Sequence, residues 1–181
     1  MTDQEIILRL INRNNRITKD FFFVKCRPLF CKVISIIFDY EVNYDEFVNE
    51  LYIYLMEDNA VKLRDFQYRS SVYQWLKVVA IRYFLRKREQ LIDDSSHESL
   101  YEKDDKIVET CTAREDLERL FNQMPNKRYV FVIRKLILEE LEPEELAQEM
   151  NITTANLYNI KRRAIAQLSH IALTDIKYYG K

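Results

Sequence analysis

The sequence predicts an all-α protein of two small helical domains joined by an acidic linker, and three observations lead there. The chain has one glycine, Gly180, which excludes glycine-dependent hairpins and Gly-rich phosphate loops. Apolar residues recur at helical spacing between breaks marked by asparagine, and no stretch alternates convincingly with period two. At residues 93–105 the run DDSSHESLYEKDD holds six acidic residues, one lysine and little that could be buried.

The first helix is expected over residues 3–12, capped by Thr2 or Asp3. A second covers 18–38 with Pro28 as its kink, and a third starts around 45 and ends before Asn59. A fourth covers 72–89, where Val72, Trp75, Leu76, Val79 and Tyr83 follow the i, i+3, i+4, i+7 order of a core face. The acidic run then acts as a tether that its own repulsion keeps extended. Helices resume over 113–124, 126–141, 143–150 and 154–173. Pro125 and Pro143 mark two of these starts, Pro143 fitting a first turn where its missing N–H costs nothing. Asn14, Asn15, Asn43, Asn59, Asn126 and Asn151 punctuate the chain, since asparagine tolerates left-handed backbone better than most residues. The expected domains are 1–92 and 113–181, with the linker at 93–112.

Composition limits the function. Hydrophobic residues make up 48%, enough for real cores. Lys+Arg is 28 against Asp+Glu 29, so the chain is a poor DNA binder by total charge, and any nucleic-acid role must rest on local patches. Cys26, Cys31, Cys111, His97 and His170 show no metal-ligand spacing, and no metal or cofactor is expected. No nucleophile stands beside a base, so an enzyme is not expected either. An odd cysteine count without a signal peptide suggests a reducing compartment, and the apolar stretches are too short to span a bilayer. The expectation is a soluble, cytoplasmic protein.

Two stretches carry a more specific message. EPEELAQEMNITTANLYNIKRRAIAQL reads as helix-turn-helix: a short helix, a tight turn at Asn151, and a longer helix capped by Thr153. On the second helix Leu157, Ile160, Ala164 and Leu168 share one side. Ala155, Tyr158, Asn159, Arg162 and Arg163 point the other way. Amides suit adenine edges, arginines suit guanine edges or phosphate, and no acid interrupts residues 151–168. A solvated face of a terminal helix is the plainer alternative, though such a face more often mixes both charge signs.

The second stretch is FQYRSSVYQWLKVVAIRYFLRKRE, where Arg69, Lys77, Arg82, Arg86, Lys87 and Arg88 follow a loop holding Phe66, Tyr68, Ser70 and Ser71. Aromatic rings beside a basic groove suit single-stranded DNA, whose bases stack and whose backbone needs cations. Trp75 and Tyr83 lie on the apolar stripe and are assigned to the core, and for the cations the alternative is a solvated helix end.

YDEFVNELYIYLME, followed by F-x-x-x-S-S-x-x-x-W-L-K-x-x-A-x-R-Y, resembles conserved region two of bacterial RNA polymerase sigma factors. LERLFNQMPNKRYVFVIRKLILEELEPEELAQEMNITTANLYNIKRRAIAQL is similar to their region four. Two such regions and a short linker are the layout of the extracytoplasmic-function group, and the likeness covers about residues 3–173.

The resemblance implies sites by position. The segment Asp45, Glu46, Phe47, Val48, Asn49, Glu50 would bind the clamp helices of the largest polymerase subunit through Asp45, Glu46, Asn49 and Glu50. There Asn49 replaces the usual glutamine. Phe66, Gln67, Tyr68, Arg69, Ser70 and Ser71 would hold a flipped base of the minus-10 element, with Gln74, Lys77 and Arg82 at the fork and backbone. Thr154, Ala155, Asn156, Tyr158, Asn159, Arg162 and Arg163 would read the minus-35 major groove. The linker would thread the polymerase near the RNA path. Implied partners are core RNA polymerase, including the flap of its second-largest subunit, promoter DNA, and an anti-sigma factor where one exists.

The chain also departs from the family. Members often carry Gly-Thr-Val-Lys-Ser-Arg-Leu where it has Ala155, Asn156, Leu157, Tyr158, Asn159, Ile160 and Lys161. Glu140 stands where a glycine is common, and Glu142 is a weaker cap than serine. The alternative function is a stand-alone helix-turn-helix regulator, which would need DNA affinity of its own and no acid cluster at 45–50.

Overall fold

The computed structural model describes residues 1–96 and 113–179, with helical side chains described for 1–92 and 117–174. Every regular element among the described residues is helical. In order these are α1 (Asp3–Ile11), α2 (Asn15–Ile17), the π-helix π1 (Thr18–Lys25), α3 (Arg27–Ile37), α4 (Tyr44–Arg64) and α5 (Val72–Ser96). They continue with α6 (Ala113–Gln123), α7 (Lys127–Ile133), the π-helix π2 (Arg134–Leu138), α8 (Pro143–Glu149) and α9 (Thr154–Tyr179). The described residues fall into two compact units, 1–83 with 113–116 and 84–96 with 117–179. The first boundary therefore falls inside α5, after Tyr83. Of the expected tether, residues 93–96 continue α5, and 97–112 lie outside the described residues.

In the first unit, α1 opens on a capping box: the Thr2 hydroxyl accepts from the Glu5 amide, and the Glu5 carboxylate accepts from the Thr2 amide at 2.9 Å. It closes on a left-handed Arg13, with Arg13 N–H donating to Leu10 O and Asn14 N–H to Arg9 O. The expected single helix over 18–38 is two elements. π1 ends where Cys26 N–H donates to Phe21 O, and Pro28 sits in the first turn of α3, where it starts a helix rather than bending one. α4 is broken at residues 57–60, with Asp58, Asn59 and Ala60 all left-handed. Lys62 braces that break, its Nζ 3.5 Å from the Glu57 carboxylate and 4.1 Å from the Tyr54 ring centroid.

Phe22 anchors the core, its ring centroid 4.9 Å from Phe30 and 5.5 Å from Tyr52. A second pair, Phe38 and Phe47, meets edge to face at 5.0 Å. Such pairs add about 0.5–1.5 kcal/mol each beyond the area they bury. Burial pushes the Cys26 thiol up to about 12, so at neutral pH it is a packing group and not a nucleophile.

In the second unit α7 and α8 pack against α9. Asn126 caps α7, its carboxamide oxygen accepting from Arg128 N–H at 3.0 Å. Arg134 on π2 forks onto both carboxylate oxygens of Glu118 on α6 and lies 4.8 Å from the Phe121 ring centroid. Leu120, Phe121, Val132, Ile133, Leu146, Leu157, Ala164 and Leu168 form the buried centre. No described helix is long and apolar enough to cross a membrane.

Candidate functional site

The sequence places chemistry on three surfaces. The helix-turn-helix is built in the second unit. α8 ends in a closing pair of bonds, Asn151 N–H to Gln148 O at 3.0 Å and Ile152 N–H to Ala147 O at 3.0 Å, with Asn151 left-handed at φ 51°. The Thr153 hydroxyl then caps α9 by accepting from Asn156 N–H at 3.2 Å. Leu157, Ile160, Ala164 and Leu168 are buried, as their spacing predicts. Ala155, Asn156, Tyr158, Asn159, Arg162 and Arg163 are exposed, and Thr154 is half-buried. One turn of packing thus holds the whole expected reading face outward. Lys161, at the edge of that face, is half-buried with its Nζ 5.7 Å from the Tyr158 ring centroid.

The second surface lies on α4. Asn43 caps the helix by accepting from Glu46 N–H at 3.2 Å, and Asp45 and Glu46 sit in its first turn, where the helix dipole favours acids. Asp45, Glu46 and Asn49 are exposed and Glu50 is half-buried. Asp45 meets Arg27 at 3.4 Å, and the Arg27 guanidinium lies 4.6 Å from the Tyr44 ring centroid. Burial and the neighbouring Cys31 thiol push the Tyr44 hydroxyl well above its ordinary value. Ile53 belongs to this surface too: it lies three and four residues beyond Glu50 and Asn49 and is 61% exposed. Sequence reasoning passed over it, because an isoleucine in an apolar helix reads as core.

The third surface is the loop before α5. Ser71 caps α5 by accepting from Gln74 N–H at 3.2 Å. The carboxylate of Asp3 on α1 accepts from Val72 N–H at 3.2 Å, which ties the loop's end to the N-terminal helix. Gln67, Tyr68, Arg69, Ser70, Ser71 and Gln74 are all exposed. Phe66, however, is buried: its ring centroid lies 5.2 Å from that of Trp75 and 4.7 Å from that of Tyr68, both pairs tilted.

Lys77 and Arg82 also depart from expectation, at 3% and 8% exposure. Leu76, Val78, Val79, Ala80, Ile81, Phe84 and Leu85 are all buried, whereas Trp75 and Tyr83, assigned to the core stripe, are only half-buried. Phe66, Lys77 and Arg82 are thus covered side chains, whereas the expectation had placed all three at the DNA.

No protein-family model, curated protein or solved structure matches this chain. The functional reading accordingly rests on the residues and their geometry.

Proposed function

We propose that this chain is a sigma factor of the extracytoplasmic-function type, which binds core RNA polymerase and directs it to promoters. The observation that carries the reading is the α4 face of Asp45, Glu46, Asn49 and Ile53. An acidic helix surface that continues into an exposed isoleucine one turn on suits a protein partner, and a protein that bound DNA unaided would have no use for it. The α9 face supplies minus-35 contacts through Tyr158, Asn159, Arg162 and Arg163, with the N-terminal turn at Thr154, Ala155 and Asn156 beside the phosphate. The loop of Gln67, Tyr68, Arg69, Ser70 and Ser71 meets the minus-10 strand as it opens. Melting requires no catalytic group: extruding a base costs a few kcal/mol, and contacts made only to the extruded base offset that cost. Polymerase supplies what the neutral chain lacks, by holding two weak DNA modules at fixed spacing so that each raises the effective concentration of the other.

Purified core polymerase from the same species, with a matched promoter, tests this. Initiation is expected only when the protein is present. Asp45→Arg with Ile53→Arg should abolish it while lowering the melting temperature by only a few degrees, since both positions are exposed and the double change costs no more than the Asp45–Arg27 pair and the dipole contact of one acid. Absence of initiation, together with tight binding of the free protein to duplex DNA, would transfer the assignment to a stand-alone regulator.

A further inference from the structure

Arg27 opens α3 and Tyr44 opens α4, and the two residues hold each other from both ends. The Tyr44 hydroxyl donates to the Arg27 carbonyl at 3.1 Å, while the Arg27 guanidinium lies 4.6 Å from the Tyr44 ring centroid. The same guanidinium reaches the next residue of α4, Nη1 to Asp45 Oδ1, at 3.4 Å. No bond to Asp45 Oδ2 occurs among the described residues, and that side chain is 75% exposed. One carboxylate oxygen is held and the other is open.

An exposed ion pair of this length contributes little to stability. Its cation also has the wrong sign for the face it stands on. A basic partner is drawn by Asp45, Glu46 and Glu50, and an arginine beside them weakens that attraction. What Arg27 supplies is geometry. The Tyr44 ring already places the guanidinium, so little further freedom is lost in holding the carboxylate, and a carboxylate fixed beforehand loses less entropy when a partner binds.

We infer that Arg27 and Tyr44 are positioning residues for the α4 face: their mutual clasp sets the first turn of α4 and presents Asp45 Oδ2 to a cationic group of the partner. The inference rests on the sigma-factor reading for the identity of that partner, core RNA polymerase. It goes further by giving a role to two residues that neither the sequence motif nor the resemblance marks. The step they control is dissociation of the partner, not its association.

The test measures binding of the full chain to purified core polymerase from the same species, with association and dissociation rates read separately. Tyr44→Phe removes the bond to the Arg27 carbonyl and leaves every charge in place. It should raise the dissociation rate about 2- to 13-fold, the span of one lost hydrogen bond. Arg27→Gln should raise it by about the same factor, the cost of ordering one side chain on binding. Association should be no slower, because a cation has left an acidic face. In an Asp45→Ala chain, itself a weaker binder, Arg27→Gln should add nothing. Melting temperatures should stay within about 4 °C of wild type, since the pair is exposed. Without polymerase, hydrogen exchange reports on the clasp directly. The Phe47 amide, which donates to Asn43 O at 3.1 Å, should exchange about 2- to 13-fold faster in Tyr44→Phe.

Dissociation of Arg27→Gln no faster than wild type would make Arg27 only a screening charge and overturn the inference. An equal rise in the Asp45→Ala background, a larger fall in melting temperature, or unchanged exchange at Phe47 would overturn it as well. The two readings fail separately. Polymerase binding that Tyr44→Phe and Arg27→Gln leave intact removes the positioning role and keeps the sigma factor. A wild-type chain that does not bind polymerase, with Phe47 exchange still quickened in Tyr44→Phe, removes the sigma factor and leaves the clasp as the organiser of that face.

Discussion

At Glu140 the backbone turns left-handed, φ 59°, a conformation that costs any residue with a Cβ, and the side chain is exposed. The conformation is required because π2 closes there, with Glu139 N–H on Arg134 O and Leu141 N–H on Lys135 O, each at 3.0 Å. The resemblance marked this position as one where glycine is common, and the dihedral supplies the reason. Replacing Glu140 with glycine should relieve about 1–2 kcal/mol of left-handed penalty. It should give back about 0.4–1 kcal/mol through a looser unfolded chain. The net expectation is a gain of about 0.5–1 kcal/mol, read as a rise of about 1–4 °C in melting temperature, with Glu140→Val falling below wild type. The asparagines tell the same story by residue chemistry. Asn59 and Asn151 are left-handed as expected, but Asn14, Asn43 and Asn126 act as N-caps, accepting from amides two or three residues on. The sequence marked the breaks correctly, and only the backbone distinguishes which of asparagine's two abilities is used at each.

Elements were legible where their determinants are local. Thr2 and Thr153 start helices because a hydroxyl there reaches an amide three residues on. The four buried positions of α9 follow from spacing alone. Other features left no local trace. π1 and π2 replace the helical period with a wider one, and the Asp3 bond to Val72 N–H joins residues 69 apart. The left-handed run at Asp58, Asn59 and Ala60 was visible only as an expected stop, not as the braced turn it is. The basic stretch of α5 misled because spacing does not show which cations the fold covers: Lys77, Arg82 and Arg88 are buried, while Arg86 and Lys87 are half-buried. α9 has the simplest vulnerability. Thr153→Ala removes the cap from α9, at a cost of about 1 kcal/mol, and frays the turn holding Thr154, Ala155 and Asn156. Initiation from a promoter that depends on its minus-35 element should fall. Binding of core polymerase through the proposed α4 face should be unchanged, and a variant that lost both would show that the damage was not confined to α9.

For the molecule as a whole, the deciding quantity is charge, with Lys+Arg 28 and Asp+Glu 29 giving a formal net charge of -1. Affinity for duplex DNA comes mainly from counterions released at phosphates, about 0.9 of a unit of salt slope for each phosphate neutralised. On the reading face of α9 the exposed cations are Arg162 and Arg163, with the half-buried Lys161 at its edge. Two or three phosphate contacts imply a slope of about −2 to −3 for the free chain, and binding weaker than about 100 μM at physiological salt. Arg162→Ala should make the slope shallower by about 0.9, with a matching loss for Arg163→Ala. In the proposed polymerase complex the same contacts would act at an effective concentration near the millimolar range, so losing either arginine should still reduce initiation measurably. A free-chain slope steeper than about −5 would mean that the protein grips DNA through many more phosphates than α9 offers. Autonomous binding of that strength is the behaviour of a regulator acting alone, and the acidic face of α4 would then need a different partner.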